Sequence, residues 1–339
     1  MDPTIGRIPA FMVVAYAAIT REDRAGNVFA FQRSNSSPSA PRFAPGFPLL
    51  SLALCLLLSC ASLSPLTPGD FPLRAAAPGD LSPRWESFAP GIGYFEGRIG
   101  KPRLQLWALR VDLDHPGLEF VVNRAGDDPG VVPGVTVSGF VRDYGCVAGL
   151  NANPFDRITA RPGEPLTIAG IALAEGLLVS PPDSRYDALV LYWDGSAAIV
   201  SQDSLDSPAL TGIRNAVGGF FVVLRDGAPA ERLLSRDRTA SRHPRSAAGL
   251  SADGRTLYLL AIDGRRSGSV GATEEETALI LQRLGAADGL NLDGGGSTAL
   301  VLRHRNGKIR PVNTPIHGMI PGKERVVAVC LGISMKLEP

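Results

Sequence analysis

The sequence predicts an α+β fold: a mixed, mostly antiparallel sheet with a few packed helices, in a single domain over residues 85–335. Three observations predict it. Short apolar runs alternate with turn pairs such as Asp194-Gly195, Asp253-Gly254 and Asn306-Gly307, which join antiparallel strands. Only Ala272–Gly285 carries a clear helical pattern with signals at both ends. No βαβ period repeats, which argues against a doubly wound nucleotide fold.

Taken in order, Leu104–Leu113 and Leu118–Arg124 read as strands around the turn "DHPG". "VSGFVRDYGCVAGLNANPFD" reads as a short helix feeding a buried strand that ends at Asn151. Ala188–Val200 is a hairpin, and "AVGGFFVVLRDGAP" a strand led by glycines. "RSAAGLSADGRTLYLLAIDGR" gives two strands, the second stopping at Asp263-Gly264-Arg265. In the helix that follows, Thr273 is the expected cap, Glu276 completes a capping box and Gly285 ends it. Its acids Glu274, Glu275 and Glu276 suit the macrodipole and are read as structural. A strand, a triple-glycine loop and a second strand come next, and Arg325–Ile333 closes as the last strand.

The first eighty or so residues differ. Gly46–Leu63 holds an apolar run too short to span a bilayer, which fits a signal segment over 46–60. It ends in "LLSC", a lipobox-like motif that makes Cys60 the expected lipidation site, although Leu58 is bulkier than usual there. Residues 61–84, rich in Pro, Ala and Gly, read as a tether. Residues 1–45 read as an extended or non-native upstream region, with initiation expected near Val28. The expected localisation is that of an exported bacterial lipoprotein, in contact with a membrane through its lipid anchor only. A formal net charge of +1 supplies no field for nucleic acid. Cys146 and Cys330 sit in apolar runs and read as buried thiols or a disulfide.

The chemistry gathers at strand ends. Asp263 and Asp293 each end an apolar run and each precede glycine. Either alone is an ordinary turn acid. Together they form a carboxylate pair if the helix between them returns the chain to the same sheet edge. Gly294, Gly295 and Gly296, with Ser297 behind them, would then offer backbone amides as an anion nest. Arg245 and Arg265 are the candidate cations, since guanidinium grips phosphate through two hydrogen bonds; Arg266 reads as solvated surface. Asn151 could orient sugar hydroxyls or cap a turn. A serine triad using Ser297 with His304 or His317 lacks the nucleophile elbow. The four histidines show no zinc spacing. No cofactor is expected, with calcium between Asp263 and Asp293 an open alternative.

"HPRSAAGLSADGRTLYLLAIDGRR", "SVGATEEETALILQRLGAADGLNLDGGGSTALVL" and the closing "PVNTP" and "RVVAVCLGI" together resemble the phosphodiester glycosidase family. The resemblance spans roughly residues 85–333 and is densest from His243 to Leu302. It implies hydrolysis of a sugar 1-phosphodiester at the anomeric carbon, with a phosphodiester-linked saccharide as substrate. It places family motif positions at Asn151, Gly219, Arg245, Asp263, Gly264, Arg265, Gly271, Asn291, Asp293 to Ser297 and Asn313. Asp293 is expected in direct chemistry, as nucleophile or as base for water, with Asp263 in support. Ala152 and Asn153-Pro154 depart from the family's Asn-Gly followed by aromatics, and Ser246 stands where threonine is common. A non-catalytic surface module that binds anionic glycans in the same pocket is the rival reading.

Overall fold

The computed structural model describes residues 81–234 and 241–336, all within one compact unit, Leu63–Pro339. The signal segment, Cys60, the upstream region and the tether as far as residue 80 lie outside the described residues.

An eight-stranded sheet forms the centre. Its order is Glu86–Ala89, Ile92–Ile99, Leu104–Asp112, Thr256–Ile262, Arg245–Leu250, Asp288–Asn291, Phe221–Arg225 and Ala228–Pro229. Two five-stranded sheets and one three-stranded sheet complete the β-structure. Pairing between these strands is antiparallel. Among the described residues the parallel component expected of a mixed sheet reduces to the isolated bridge Ile316–Lys323. Helices are few and short apart from Glu274–Leu284.

The central strands are buried on both faces, so their apolar residues run on without polar alternation. Along Thr256–Ile262, Leu257, Leu259 and Ala261 enter one core with Leu109, Val111, Leu150 and Leu331. Tyr258, Leu260 and Ile262 enter the other, beneath Ala278, Ile280, Leu281 and Leu284 of the long helix. That helix starts at the expected capping box, in which the Thr273 side chain accepts from the Glu276 amide while the Glu276 carboxylate accepts from the Thr273 amide. It stops at Gly285, whose φ of 113° puts it in the left-handed region. Glu276 also carries Arg242 at 2.6 Å, so its carboxylate serves both the cap and an ion pair.

Two segments depart from expectation. The glycine-led run is two strands, Ile213–Gly219 and Phe221–Arg225, in different sheets. The last strand begins only at Cys330, because Arg325 turns toward the glycine turn while Glu324 anchors the helix Val137–Asp143 through the Ser138 amide (2.9 Å) and hydroxyl (2.5 Å). Cys146 and Cys330 are buried free thiols of one apolar cluster, and burial pushes the Cys146 thiol up to about 12.

Register places the acids. Arg245–Leu250 pairs with Thr256–Ile262 on one side and with Asp288–Asn291 on the other, aligning Arg245 with Ile262 and Ala247 with Asn291. The two outer strands therefore run in the same direction and release Asp263 and Asp293 at one edge, two strand spacings or about 10 Å apart.

Leu281→Ala, which opens the seam between the long helix and the sheet, should lower unfolding stability by about 2–5 kcal/mol in a urea titration. A change under 1 kcal/mol would mean that the helix is not needed for the core.

Candidate functional site

Asp293 sits where the Asp288–Asn291 strand gives way to the glycine turn, and its backbone is tied down on three sides. Its amide donates to the Ala152 carbonyl at 2.9 Å, and its carbonyl accepts from Asn151 Nδ2 at 2.6 Å. The Leu292 amide just before it donates to the Ser246 carbonyl. Asn151 is fully buried, and its Oδ1 accepts from Ser246 Oγ (2.7 Å) and the Ala299 amide (3.1 Å). The side chain thus joins three segments far apart in sequence, and its amide group is spent on protein partners. Asn313 is a second bracket: it accepts from the Leu300 amide and donates to Thr298 O and Asp263 Oδ1.

Asp293 as a residue is half-buried, and its carboxyl is crowded. Burial raises its titration to about 6, opposed by hydrogen bonds from the Ser297 hydroxyl and the Gly294 amide and by the charge of Arg325. Asp263 is different. It is fully enclosed, and its Oδ1 accepts from Asn313 and the Thr314 amide (2.9 Å) while Oδ2 takes Arg266 at 2.8 Å. Burial pushes its carboxyl up as well, against those donors. The expectation that Arg266 is solvated surface is corrected: it is the ion-pair partner of Asp263. Among the described residues no cluster of three or more His, Cys, Asp or Glu could hold a metal.

The glycine turn does not present a row of bare amides. Gly294 N–H serves Asp293, Gly295 N–H donates to Pro244 O at 2.8 Å, and Ser297 N–H to Gly294 O. The glycines are needed for room instead. A Cβ on Gly294 would lie 2.7 Å from the Pro244 carbonyl, and one on Gly296 2.5 Å from Arg325 Nη2. Gly295, at φ 64°, lies beneath Arg265, whose Nη2 comes within 3.0 Å of where a Cβ would stand. Bare backbone thus lets two guanidinium groups settle against the turn.

Arg265 is exposed and holds a left-handed backbone, φ 58°, which is uncommon for a side chain of its size. Its Nη2 meets His243 Nδ1 at 3.3 Å. Arg325 repeats the pattern. Its Nε donates to His317 Nδ1 at 3.2 Å and its Nη1 to Ser297 Oγ at 3.2 Å. A guanidinium cannot accept, so each imidazole is neutral at Nδ1 and carries its proton on Nε2. Burial, then the neighbouring cations, hold both histidines below the usual imidazole range; Arg245 and Arg265 act on His243, Arg325 and Lys323 on His317. By the same logic Ser297 Oγ accepts from Arg325 and gives its proton to Asp293. Ser297 therefore has no histidine base, since the Arg325 guanidinium stands between it and His317, while His304 pairs with Arg310.

Arg245 takes a different place from the one its motif suggested. It is buried, donates from Nε to Ala272 O (3.0 Å) and from Nη2 to Ser241 O (3.3 Å), and lies 3.7 Å from Glu274. Its fork braces the loop that carries His243. The structure thus brings together Asp293, Ser297, Arg265 and the glycine turn, with Asn151, Asn313, Asp263 and Arg245 as the brackets around them. Sequence reasoning missed Arg325 and His243, and weighed His317 only as a base for Ser297. Only the paired charges of "KER" at the head of an otherwise apolar run hinted at the first.

Because the Asp293 carboxyl titrates near 6 rather than near its ordinary 3.8, its ionisation opposes folding. That cost is absent below the unfolded value, grows through pH 4–6 and is complete above. Asp293→Asn should therefore stabilise the fold by roughly 1–3 kcal/mol at pH 8 and by little at pH 4. Thermal unfolding at the two pH values checks this, and an Asn variant less stable at pH 8 would contradict it.

Comparison with known proteins gives three findings. The family model described as "Phosphodiester glycosidase" matches residues 144–334. The SPbeta prophage-derived protein YomE of Bacillus subtilis (strain 168) is 27% identical over 174 residues, 49% of this chain and 26% of that protein; the chain thus spans about a quarter of that relative's length. Among solved structures, a hypothetical protein from Synechocystis aligns with TM-score 0.53 at 15% identity, covering 74% of this chain and 63% of that one. The zebrafish N-acetylglucosamine-1-phosphodiester alpha-N-acetylglucosaminidase catalytic domain, auto-inhibited by its pro-peptide, aligns with TM-score 0.53 at 19% identity, covering 77% of this chain and 87% of that one. At such identities the two structures establish a shared fold, and the family match spans more than half of the sequence. With Asp263 and Asp293 released at one edge of the central sheet, the chain belongs to the phosphodiester glycosidase family.

Proposed function

We propose that this protein is an exported hydrolase that cleaves a sugar 1-phosphodiester at the anomeric carbon. The observation that carries the reading is the meeting of Arg265 and Arg325 over the glycine turn beside Asp293. Two cations against one carboxylate leave a net single positive charge, which matches the single negative charge of a phosphodiester. Its two non-bridging oxygens suit two guanidinium forks. Arg325 is destabilised by its own burial and by Arg265, and relieved by Asp293; an incoming anion would relieve it further.

In this reading the bond from the anomeric carbon to the phosphate oxygen breaks through an oxocarbenium-like transition state. The electron pair leaves with that oxygen, and the growing charge falls between the guanidinium groups. The departing phosphate is weakly basic, so proton donation to it matters little. Asp293 stands on the sugar side, as nucleophile or as base for the water whose oxygen ends on the anomeric carbon. A carboxyl titrating near 6 suits proton transfer near neutrality. Asp263 supports from behind: with Asn313 and Thr314 it fixes the segment that leads to His317. The phosphate role expected of the glycine amides and of Arg245 passes to Arg265 and Arg325. Export and anchoring rest on the apolar run that ends at Cys60 and the tether after it, and the mass of the mature N-terminus tests them.

A panel of sugar 1-phosphodiesters should identify a substrate. On it, kcat/KM should fall tenfold per pH unit below about 6, the acid limb set by Asp293; a limb near 4 would remove Asp293 as the ionising group. Asp293→Asn should lower kcat by about 10³-fold or more with the fold intact. Binding of the sugar without release by the native protein would favour the glycan-binding module instead. Arg325→Lys loses the contacts to Ser297 and His317 together, and kcat/KM should drop about 10²-fold. Retention within a few-fold would move phosphate recognition away from Arg325.

A further inference from the structure

The loop from Ile316 to Lys323 is unusual in what it exposes. It is closed by its own backbone hydrogen bonds: His317 N to Lys323 O, Met319 N to Ile316 O, Ile320 N to His317 O, Lys323 N to Ile320 O, and Gly322 N to Pro315 O. The loop is therefore built rather than loose, yet Met319 is 61% exposed and Ile320 52%. Met319 also holds a left-handed backbone, φ 63°, directly after Gly318 at φ 62°. An exposed methionine in that region neither buries apolar surface nor relaxes the chain, so the fold gains nothing from it. Its value lies in something that covers it.

Its position says what. His317, at the root of the loop, is the acceptor that holds Arg325, and the loop packs beside Gly295–Ser297. The apolar pair thus borders the cation pair, with Lys323 exposed at the loop's other end. A ligand meeting both surfaces carries an anion and a hydrocarbon within a few bonds of each other. We infer that the group leaving with the phosphate is apolar: the substrate is an amphiphilic diester whose phosphate joins the sugar to an alkyl or prenyl chain, and Met319 and Ile320 seat that chain beyond its first carbon. This rests on the phosphodiester reading above and adds the identity of the aglycone class.

The test uses methyl and octyl esters of the same sugar 1-phosphate, with the sugar taken from the panel. The octyl ester should show a KM about five- to tenfold lower than the methyl ester, as expected for covering part of two apolar side chains. In the double variant Met319→Asn, Ile320→Ser the difference should vanish while methyl ester turnover is unchanged, which also shows that the variant is folded. Equal KM values for the two esters in the native protein, or a preference that survives in the variant, would overturn the inference and leave the phosphodiester reading standing. Should neither ester turn over, that reading fails and the aglycone assignment falls with it, whereas equal KM values overturn the assignment alone. Phosphatidylcholine vesicles free of sugar phosphate provide the last arm. Sedimentation with them that depends on Met319 and Ile320, without any ester preference, would make the loop a membrane contact and overturn the aglycone assignment.

Discussion

The architecture of the site depends on one buried side chain, Asn151. Its amide group holds the Asp293 carbonyl, the Ser246 hydroxyl and the Ala299 amide at once. Asn151 ends a strand of a five-stranded sheet, whereas Ser246 belongs to the eight-stranded one. A single residue therefore sets the distance between two sheets at the point where Asp293 leaves its strand. In a dry interior each of those bonds is costly to leave unmade, so the junction has one arrangement. Asn313 repeats the device a short way along, between Asp263 and Thr298.

Around that junction, charge is arranged by what each group is able to accept. Arginine only donates, so His243, His317 and Ser297 are forced to accept from it, and the one remaining proton, on Ser297, goes to Asp293. Burial keeps the imidazoles neutral and the Asp293 carboxyl easier to protonate than usual. The outcome is a site with two positive forks, one tunable negative charge and no strong base on its serine. That pattern fits a leaving group which needs charge stabilisation rather than a proton, and it separates this site from a serine hydrolase that happens to share a Gly-Gly-Ser sequence.

Much of this was legible beforehand, for physical reasons that can be named. The hairpins about Asp194-Gly195 and Asp253-Gly254 and the capped helix after Thr273 follow from local turn and capping chemistry. The placing of Asp263 and Asp293 at one edge needed only a helix that returns the chain beside its starting strand. What was not legible is where side chains spend their hydrogen bonds. Arg245 looked like a ligand-binding cation and instead braces two carbonyls. Arg266 looked solvated and instead neutralises Asp263. The three glycines suggested an anion nest, yet Gly295 and Gly296 make space for Arg265 and Arg325, and Gly294 for the Pro244 carbonyl. Arg325 itself was hidden, because it lies far along the chain at the head of a segment read as plain strand.

The central claim is that Arg265 and Arg325, rather than the glycine amides or Arg245, receive the phosphate beside Asp293. A crystal structure of the Asp293→Asn protein with an intact sugar 1-phosphodiester tests it most directly. The account predicts the two non-bridging oxygens within hydrogen-bond distance of the two guanidinium groups, and the anomeric carbon facing residue 293. Phosphate found against Arg245, or bound with Arg325 still turned away from it, would contradict the account.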